Sequence, residues 1–498
     1  MPWIREDRLY PIIVLLLIFI MAVRMPMDSD MWWHLRAGEE TLSSGEVYQV
    51  DTFSSTRSGE RWINHSWLSQ VMMALMVRIG GRPALSIWVA SCAVLSMGLV
   101  YLLMSGHPLL RSAVLILAAM VSSVVWSPRP QIMSLVFLAL ISWLVQSYLD
   151  KPRWGYLVAV PAVFVLWGNL HGGYVLGLIY LGAVICGGFL DRIMLEKRAD
   201  STPWKNLGYL AAVMLLGFLF VLLNPNGIDM WKIPFNTIGV ETLQNLINEW
   251  ASPDFHQAFQ QPFLWMLLGL FIVLGLNGQS VQGKRLVPVV IFAWAALVAR
   301  RNFGPFAIVG APLLAEQLSL LLDEWISKAR QSFLAIEKFL VNAETSKENF
   351  NMTARNMLNV VLIGLLIAAA VIKTCQVNQT ELVAKTEKKI FPVGAAEWIK
   401  SQDQPVKVFN DYNWGGYLIY HLDDPQVFVD GRTDLYGDEI LSNYLDVIYG
   451  EENWQELLSA YDIHTLLVPS DSLLVRTAIK EGWRLVYGDP VSAIMRFP

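Results

Sequence analysis

The sequence predicts a polytopic α-helical membrane protein, with about eleven spans, that carries a C-terminal α/β domain outside the cytoplasm. Three observations support this fold class. Of the 498 residues, 54% are hydrophobic and only 16% are charged, whereas a soluble domain carries about 25% charged residues. Apolar runs long enough to cross roughly 30 Å of hydrocarbon recur between residues 10 and 374. From about Thr386, short β-branched or aromatic segments alternate with helical ones.

Composition excludes several other classes of protein. The net charge of −5 has the wrong sign for nucleic-acid binding. The three cysteines, Cys92, Cys186 and Cys375, form no closely spaced pair, so neither a disulfide framework nor a zinc site is predicted. The first apolar run, 10–23, is not followed by a small-residue cleavage site. We therefore interpret it as an uncleaved first span.

The membrane domain is predicted over residues 1–375. Spans are expected near 10–24, 83–104, 112–127, 131–149, 156–169, 173–190, 206–223, 262–277, 286–299, 304–321 and 356–374. The first outer loop, 25–82, holds a further apolar stretch at 65–79, which is either a short span or a helix lying at the interface. We interpret it as interfacial, because most basic residues of the later loops then share the side of the N-terminus. The positive-inside rule then places the protein in the cytoplasmic membrane, with its N-terminus in the cytoplasm and its C-terminal domain outside.

Polar and aromatic residues gather in the loops of the predicted outer face. The spans themselves contain almost no ionisable residue, and Glu316 is the clear exception. Six outer segments carry the polar groups: 27–38, 127–131, 167–173, 223–227, 248–255 and 299–304. They would bring aspartate, histidine, asparagine, glutamate and arginine to one side of the membrane. This pattern predicts a functional site at the outer membrane surface.

The soluble domain is predicted over 386–498. Its strands are expected at 406–412, 426–432, 464–470 and 483–489, with helices at 438–448 and 454–461. The segments DYNWGGYL and VDGRTDLYGD are rich in glycine and acid, and a strand-to-helix turn of this kind can hold a ligand. The simpler interpretation is that Gly415, Gly416 and Gly431 supply tight turns. No dinucleotide fingerprint or P-loop lysine is present, so nucleotide binding is not predicted.

Two carboxylates, Asp28 and Asp30, follow the first span. They are either solvated loop residues, or one of them is a general base or metal ligand held at the lipid surface. A carboxylate near hydrocarbon has its charged form disfavoured, which raises its basicity. Such a group is suited to deprotonating an acceptor hydroxyl.

The stretch DMWWHLRAGEETLSSG that starts at Asp30, followed by Trp62 and HSWL, resembles the first outer loop of the C-class (GT-C) membrane glycosyltransferases. This superfamily includes protein O-mannosyltransferases, oligosaccharyltransferases and the aminoarabinose transferases of lipid A. Asp30 matches the essential aspartate of the last group. The next residue is Met31, where those relatives have glutamate, and Asp28 is a candidate replacement for that second acid.

A narrower resemblance covers nearly the whole chain. The set D-x-W-W-H-L, R-P-Q, N-L-H-G-G, N-P-x-G, E-W-x-S-P-D-F, R-N and the late D-G-R is similar to a bacterial group of GT-C-like membrane proteins of undefined substrate. The resemblance implies transfer of a sugar from a polyprenyl-phosphate donor to an acceptor outside the cytoplasm. The implied partners are membrane lipid, that sugar donor, and a glycan, lipid or protein acceptor.

This chemistry requires a base for the acceptor hydroxyl and positive charge for the departing phosphate. Asp30 is the predicted base, with Asp28 as the second catalytic candidate. Arg129, together with Arg300 or Arg301, is predicted to hold the phosphate, because the planar fork of arginine suits that group. The alternatives are interfacial anchoring for Arg300 and Arg301 and a proline-shaped turn around Arg129.

Other outer residues are candidate substrate contacts: His34, Asn169, His171, Glu249 and Trp250. His171 is alternatively a hydrogen-bonded structural group. Trp250 either stacks on a sugar ring or anchors the membrane interface. Asp28, Asp30 and Glu249 are candidate ligands for Mg²⁺ or Mn²⁺, since these ions prefer oxygen ligands. Whether a metal is needed is left open by the sequence.

Three other functions are alternatives to glycosyl transfer. Spans nearly free of charge and the lack of an inverted repeat argue against a transporter or flippase. A polysaccharide polymerase or ligase of another fold would need a large outer loop between late spans, whereas the loop 322–355 is basic and expected in the cytoplasm. A non-catalytic scaffold or assembly subunit with a GT-C-like body is the main alternative, and the methionine after Asp30 favours it.

Overall fold

The computed structural model describes residues 6–194, 201–238, 247–278, 281–332, 352–402 and 406–498. The helices of the membrane part are α1 (Glu6–Ala22), α2 (Ser29–Ser44), α3 (Trp67–Gly80), α4 (Pro83–Leu103), α5 (Pro108–Ser122), α6 (Gln131–Asp150), α7 (Trp154–Leu170), α8 (Tyr174–Met194), α9 (Trp204–Phe220), α10 (Ile233–Ile238), α11 (Gln261–Asn277), α12 (Gly283–Val298), α13 (Phe303–Ser332) and α14 (Met352–Val377). Each predicted span coincides with one of these helices. The remaining helices, α2, α3 and α10, belong to loops.

Within the described residues, eight helices are long and apolar enough to cross a membrane, judged by length and composition. The chain is therefore a multi-pass membrane protein, as predicted. The other three helices at predicted spans, α1, α7 and α12, are shorter, with 17, 17 and 16 residues. Helix α3 has 14 residues and at 1.5 Å per residue extends about 21 Å. That length is too short for roughly 30 Å of hydrocarbon and agrees with an interfacial helix.

Small residues allow close packing between helices of the membrane part. A Cβ at Gly187 of α8 would overlap the carbonyl of Gly283 at the start of α12, and a Cβ at Gly38 of α2 would overlap the carbonyl of Gln70 on α3. Small residues at such contacts let two helix backbones approach closely. Helix α2 is thereby fixed against α3, which holds the first outer loop in place.

The spans contain more charge than the sequence suggested. Glu316 of α13 forms an ion pair with Arg285 of α12. Lys373, inside the predicted span 356–374, donates to the backbone carbonyl of Ile20 on α1. The expectation that Glu316 is the clear exception was therefore wrong. Glu316 and Lys373 each have a polar partner, as ionisable residues at membrane depth require.

The C-terminal domain is built on a four-stranded mixed sheet with the order β1-β2-β4-β3. The strands are β1 (Phe409–Asn410), β2 (Thr465–Pro469), β3 (Arg484–Gly488) and β4 (Ser492–Arg496). Strand β1 pairs parallel to β2, whereas β4 is antiparallel to both β2 and β3. The helices are α15 (Thr380–Ile390), α16 (Val393–Lys400), α17 (Gly415–His421), α18 (Thr433–Tyr449), α19 (Trp454–Ala460) and α20 (Leu473–Lys480). An α/β domain was predicted and is confirmed.

Two details of this domain differ from the sequence prediction. Strand β4 was not predicted, although it lies at the centre of the sheet between β2 and β3. The predicted strand 426–432 is reduced to single bridges at Val427, which pairs with Val408 on one side and with Ser54 on the other. This segment therefore lies between the start of β1 and the first outer loop and links the two.

The domain is attached to the membrane part through that loop. The backbone N–H of Ser55 donates to the carbonyl of Val427 at 2.8 Å, and the N–H of Val427 donates to the carbonyl of Phe53 at 3.2 Å. Trp32 on α2 packs edge-on against Tyr417 on α17, with ring centroids 5.3 Å apart. The domain therefore forms one wall of the space above the first outer loop.

Candidate functional site

The guanidinium of Arg129 lies among three carboxylates that come from two other segments of the chain. Its Nη1 donates to Oδ2 of Asp30 at 2.8 Å, and its Nε lies 3.1 Å from Oδ2 of Asp28. Its Nη2 donates to Oε1 of Glu249. All four side chains are mostly buried, with exposures from 13% for Asp28 to 32% for Glu249. Four residues that the sequence placed in three separate loops are thus in direct contact.

Asp28 and Asp30 are positioned by the start of α2. Asp28 is the N-cap residue: its backbone is extended, and its Oδ1 accepts from the N–H of Asp30 at 2.9 Å and from that of Met31 at 3.3 Å. An N-cap satisfies N–H groups that the first helical turn leaves without partners. Asp30 consequently lies in the first turn of α2, with its carboxylate directed at Arg129.

Arg129 is fixed by the turn that joins α5 to α6. Pro128 and Pro130 flank it and restrict the backbone φ on both sides. Its N–H donates to the carbonyl of Ser127 at 2.8 Å, and its Nε donates to the Oγ of Ser127 at 3.0 Å. The proline-shaped turn that the sequence offered as an alternative is therefore present, and it also directs the guanidinium at the carboxylates.

Burial and the Arg129 guanidinium act in opposite directions on the acids. Burial raises the pKa of Asp28 to about 6, against the lowering effect of Arg129. Burial also raises the pKa of Asp30, again opposed by Arg129. For Glu249 the raising effect of burial is outweighed by Arg129 and Arg301, so its pKa is lowered. Burial would lower the pKa of Arg129, but the three carboxylates together raise it well above the usual value. The cluster thus contains carboxylates of unequal basicity around one charged arginine.

Trp250 and Arg301 extend this cluster. The guanidinium carbon of Arg301 lies 4.3 Å from the centroid of the Trp250 ring, a cation–π distance. The backbone N–H of Arg300 donates to the carbonyl of Ala251 at 3.2 Å, which ties the two loops together. Across the described residues, Arg301 feels the charge of Glu249 but forms no contact ion pair with a carboxylate. Compared with Arg129, which contacts three carboxylates, the guanidinium of Arg301 is therefore more available to bind an anionic ligand.

His34 and Asn169 make contacts of a different kind. The Nδ1 of His34 lies 3.3 Å from the Nε2 of Gln70 on α3. The Oδ1 of Asn169, at the end of α7, accepts from the Nε1 of Trp67 at 2.9 Å. Both side chains are buried. They hold the helices of the first outer loop against each other and against the membrane bundle, and neither contacts the Arg129 cluster directly.

His171 is hydrogen-bonded within the turn between α7 and α8. Its Nδ1 accepts from the N–H of Gly173 at 3.0 Å and lies 2.7 Å from the Oγ of Ser134. Burial holds its pKa well below the usual value. The ring is therefore neutral, and acceptance at Nδ1 places its proton on Nε2. The structural interpretation of His171 accounts for these contacts. The ring of His65 lies beside it, with centroids 5.9 Å apart.

The structure adds a buried ion-pair network that sequence reasoning missed. Arg432 contacts Oδ1 of Asp51 at 2.6 Å and Oδ2 of Asp430 at 2.7 Å, and the three side chains are fully buried. Tyr436 donates its hydroxyl to Oδ2 of Asp430 at 2.5 Å. Asp51 belongs to the first outer loop, whereas the others belong to the C-terminal domain. The D-G-R motif pointed to Arg432, but nothing in the sequence identified Asp51 as its partner.

Gly431 lies directly against the predicted base. A Cβ at this position would overlap the Oδ1 of Asp30, although the φ of Gly431 is not positive. Gly415 and Gly416 also have ordinary φ values, and a Cβ on either would overlap a backbone carbonyl oxygen. Gly415 and Gly416 lie in helix α17, so the prediction that they supply tight turns was wrong, whereas Gly431 does lie in a bend. All three are required because the C-terminal backbone approaches α2 and its own neighbouring segment closely.

An open cleft of about 550 Å³ adjoins the cluster. It is lined by Met27, Asp28, Ser29, Ile390, Phe391, Asp411, Asn413, Trp414 and Pro469. Burial raises the pKa of Asp411. Two carboxylates beside aromatic rings suit a ligand that combines hydroxyl groups with a flat apolar face. The C-terminal domain contributes most of this lining, so the cleft exists only because the domain packs on the first outer loop.

The three carboxylates of the cluster were candidate metal ligands. In the structure the Arg129 guanidinium lies between Asp28, Asp30 and Glu249, where a shared ion would have to bind. Within the described ranges, no group of three His, Cys, Asp or Glu side chains is arranged to hold a metal ion. The residues present therefore do not fit a divalent ion at this cluster while Arg129 is in place.

Several solved structures are similar to the chain. The archaeal oligosaccharyltransferase AglB from Archaeoglobus fulgidus, in complex with an inhibitory peptide and a dolichol-phosphate, matches with a TM-score of 0.57 and 13% identity over 92% of this chain and 69% of that one. The Archaeoglobus fulgidus oligosaccharyltransferase in complex with Zn and sulfate matches with a TM-score of 0.51 and 12% identity over 92% and 68%. ArnT from Cupriavidus metallidurans, bound to undecaprenyl phosphate, has a TM-score of 0.47 and 12% identity over 97% and 96%. No protein-family model and no curated protein matches the sequence. At these identities the first two likenesses establish a shared fold.

Proposed function

We propose that this chain, a membrane protein with the fold of the GT-C glycosyltransferases, transfers a sugar from a polyprenyl-phosphate donor to an acceptor outside the cytoplasm. The acceptor is a glycan, a lipid or a protein. The observation that carries the proposal is the cluster of Asp28, Asp30 and Glu249 around Arg129 at one end of the helix bundle. The shared fold supports the reaction class, and the residues of this chain support the roles given below.

Asp30 is the proposed general base. The acceptor hydroxyl attacks the anomeric carbon while the bond from that carbon to the phosphate oxygen breaks, and the hydroxyl proton passes to the carboxylate. A base is more effective when its pKa lies nearer the working pH. Burial raises the pKa of Asp30, whereas contact with Arg129 favours its ionised form. Burial thus makes Asp30 more basic than a carboxylate exposed to water, and Arg129 limits that increase.

Arg301 is the proposed primary contact for the donor phosphate. Breaking the sugar–phosphate bond leaves an additional negative charge on the phosphate, which fixed positive groups stabilise. Arg301 lies against Trp250 and has no contact ion pair with a described carboxylate. Arg129 has three, so its part is to add positive charge at a distance and to orient Asp30. Arg300, bonded through its backbone to Ala251, supports this loop.

The cleft beside Asp28 is the proposed entrance for the acceptor. Its lining combines Asp28 of the cluster with Asp411 and Trp414 of the C-terminal domain. Acidic and aromatic side chains bind sugar hydroxyls and ring faces, respectively. The donor enters from the opposite direction, because its polyprenyl chain stays in the bilayer. Donor and acceptor then meet at Asp30.

The test uses a strain that lacks the gene and is complemented with variants. Asp30→Asn should reduce surface product on the order of 100-fold or more, since removal of a general base typically costs that much. Lipid extracts of the same cells should accumulate the unused polyprenyl-phosphate sugar, and mass spectrometry of that lipid identifies the sugar. Asp471→Asn is the matched control, because Asp471 is an exposed aspartate of the C-terminal domain. Full product from Asp30→Asn at normal membrane abundance would refute the proposed base.

One observation favours a second function, that of a non-catalytic scaffold in a surface-glycan pathway. All three acids of the cluster are already paired with Arg129. In a scaffold the same contacts would hold the first outer loop in one conformation for a partner. The two functions predict different lipid extracts for Asp30→Asn. If the protein is a scaffold, this variant at normal membrane abundance accumulates no donor lipid and still makes the surface product.

A further inference from the structure

The cluster has the composition of a cation site but contains its own cation. Asp28, Asp30 and Glu249 are carboxylates with exposures of 13%, 19% and 32%, and their oxygens converge on one position. Several buried carboxylates in one place repel each other and require a positive partner. Oxygen-rich sets of this kind hold divalent ions such as Mg²⁺. Here the guanidinium of Arg129 occupies the central position.

All three guanidinium nitrogens of Arg129 have a carboxylate partner at this position. Each nitrogen of the guanidinium contacts a different acid: Nε contacts Asp28, Nη1 contacts Asp30 and Nη2 contacts Glu249. Such planar, charge-assisted contacts are among the stronger hydrogen bonds in proteins. The turn between two prolines and the bonds to Ser127 fix the backbone below the side chain. A divalent ion would have to break all three contacts and leave a buried guanidinium without a carboxylate, which is costly.

We infer that Arg129 is the resident cation of this site in place of a divalent metal ion, and that its three carboxylate partners bind such an ion only after Arg129 is removed. Removal leaves three carboxylates, from Asp28, Asp30 and Glu249, around an open position. Oxygen ligands in that number, with water completing the shell, are sufficient for Mn²⁺ or Mg²⁺. A single substitution therefore converts an arginine-centred cluster into a metal site.

This inference concerns the residues of the proposed function, but its test does not depend on glycosyl transfer. The full-length protein is purified in detergent, stripped with a chelator and titrated with Mn²⁺, and free ion is followed by electron paramagnetic resonance. Wild type should show no saturable site, whereas Arg129→Ala should show one. Arg129→Ala with Glu249→Gln should lose it again, because one of the three ligands is gone.

Two further variants keep the result interpretable. Arg129→Gln retains hydrogen bonding without charge and serves if the alanine variant unfolds; it should also gain a Mn²⁺ site. Arg301→Ala removes a neighbouring positive charge but leaves the centre of the cluster filled, so it should gain none. Saturable Mn²⁺ binding by wild type that disappears in Glu249→Gln would overturn the inference. So would a folded Arg129→Ala protein that binds no Mn²⁺.

Discussion

Replacement of Arg432 by methionine tests how the C-terminal domain is held against the first outer loop. Methionine keeps an unbranched side chain of similar reach but removes the guanidinium. In the native structure that group pairs with Asp51 and Asp430, and all three side chains are fully buried. It also lies 5.3 Å from the ring of Phe53 and 5.2 Å from that of Trp62. The variant therefore leaves two buried carboxylates without their cation.

The expected cost follows from these contacts. Removing one partner of a buried ion pair costs about 3–5 kcal/mol, because an uncompensated charge stays behind. The lost cation–π contacts with Phe53 and Trp62 add roughly 1 kcal/mol. Part of the total is relieved where Tyr436 continues to donate to Asp430. We take about 4 kcal/mol as the working value, which corresponds to a change of roughly 1000-fold in the equilibrium between docked and undocked domain.

Amide hydrogen exchange measures this equilibrium at the contact itself. The N–H groups of Ser55 and Val427 bond across the boundary between loop and domain, so they exchange only when the boundary opens. Peptides that contain them should exchange roughly 1000-fold faster in Arg432→Met. Lys407→Met is the matched control, because Lys407 forms an ion pair with Asp462 on the exposed surface of the same domain. Exposed pairs contribute little, and exchange at the boundary should not change.

A second substitution separates charge from packing. Arg432→Met combined with Asp51→Asn removes one of the two unpaired carboxylates, so part of the lost protection should return. Neighbouring groups in one network are expected to be non-additive in this way. Unchanged exchange at Ser55 and Val427 in Arg432→Met would refute the reasoning. Exchange in the double variant that is faster than the combined effects of the two single substitutions would also refute it.

Three further predictions concern the site and the topology. Burial raises the pKa of Asp28 from 3.8 to about 6, so the folded protein holds this proton more tightly than the unfolded chain does. Thermal stability should therefore fall as pH rises through that interval. Asp28→Asn should remove this part of the dependence of stability on pH. Gly431→Ala should lower product on the order of 100-fold, since its Cβ displaces Asp30, whereas Gly155→Ala, which meets open space, should leave product unchanged. A reporter fused after Pro498 should be active only outside the cytoplasm, and cytoplasmic activity would contradict the positive-inside assignment.

The sequence by itself determined the membrane helices of this protein. Apolar runs of the right length predict the membrane helices because lipid leaves backbone groups no partner except their own helix. The prolines beside Arg129 are a local signal, and the turn they predict is present. Asp28, Asp30, Arg129 and Glu249 were among the candidate residues of the sequence, and the structure brings these four into contact.

What the tertiary structure decided is the pairing of these elements. The sequence assigned Arg129 to a phosphate and Asp30 to the role of base, and it left open whether the three carboxylates bind a metal; the fold pairs the arginine with all three acids. The glycine at 431 was interpreted from its own neighbours as a turn, yet it is needed because Asp30, about 400 residues earlier in the chain, lies against it. The partnership of Asp51 with Arg432 is equally distant. Local sequence patterns predict backbone hydrogen bonding and the burial of apolar side chains, because these depend on neighbouring residues. The partner of a buried charge depends instead on which distant group the packing brings next to it.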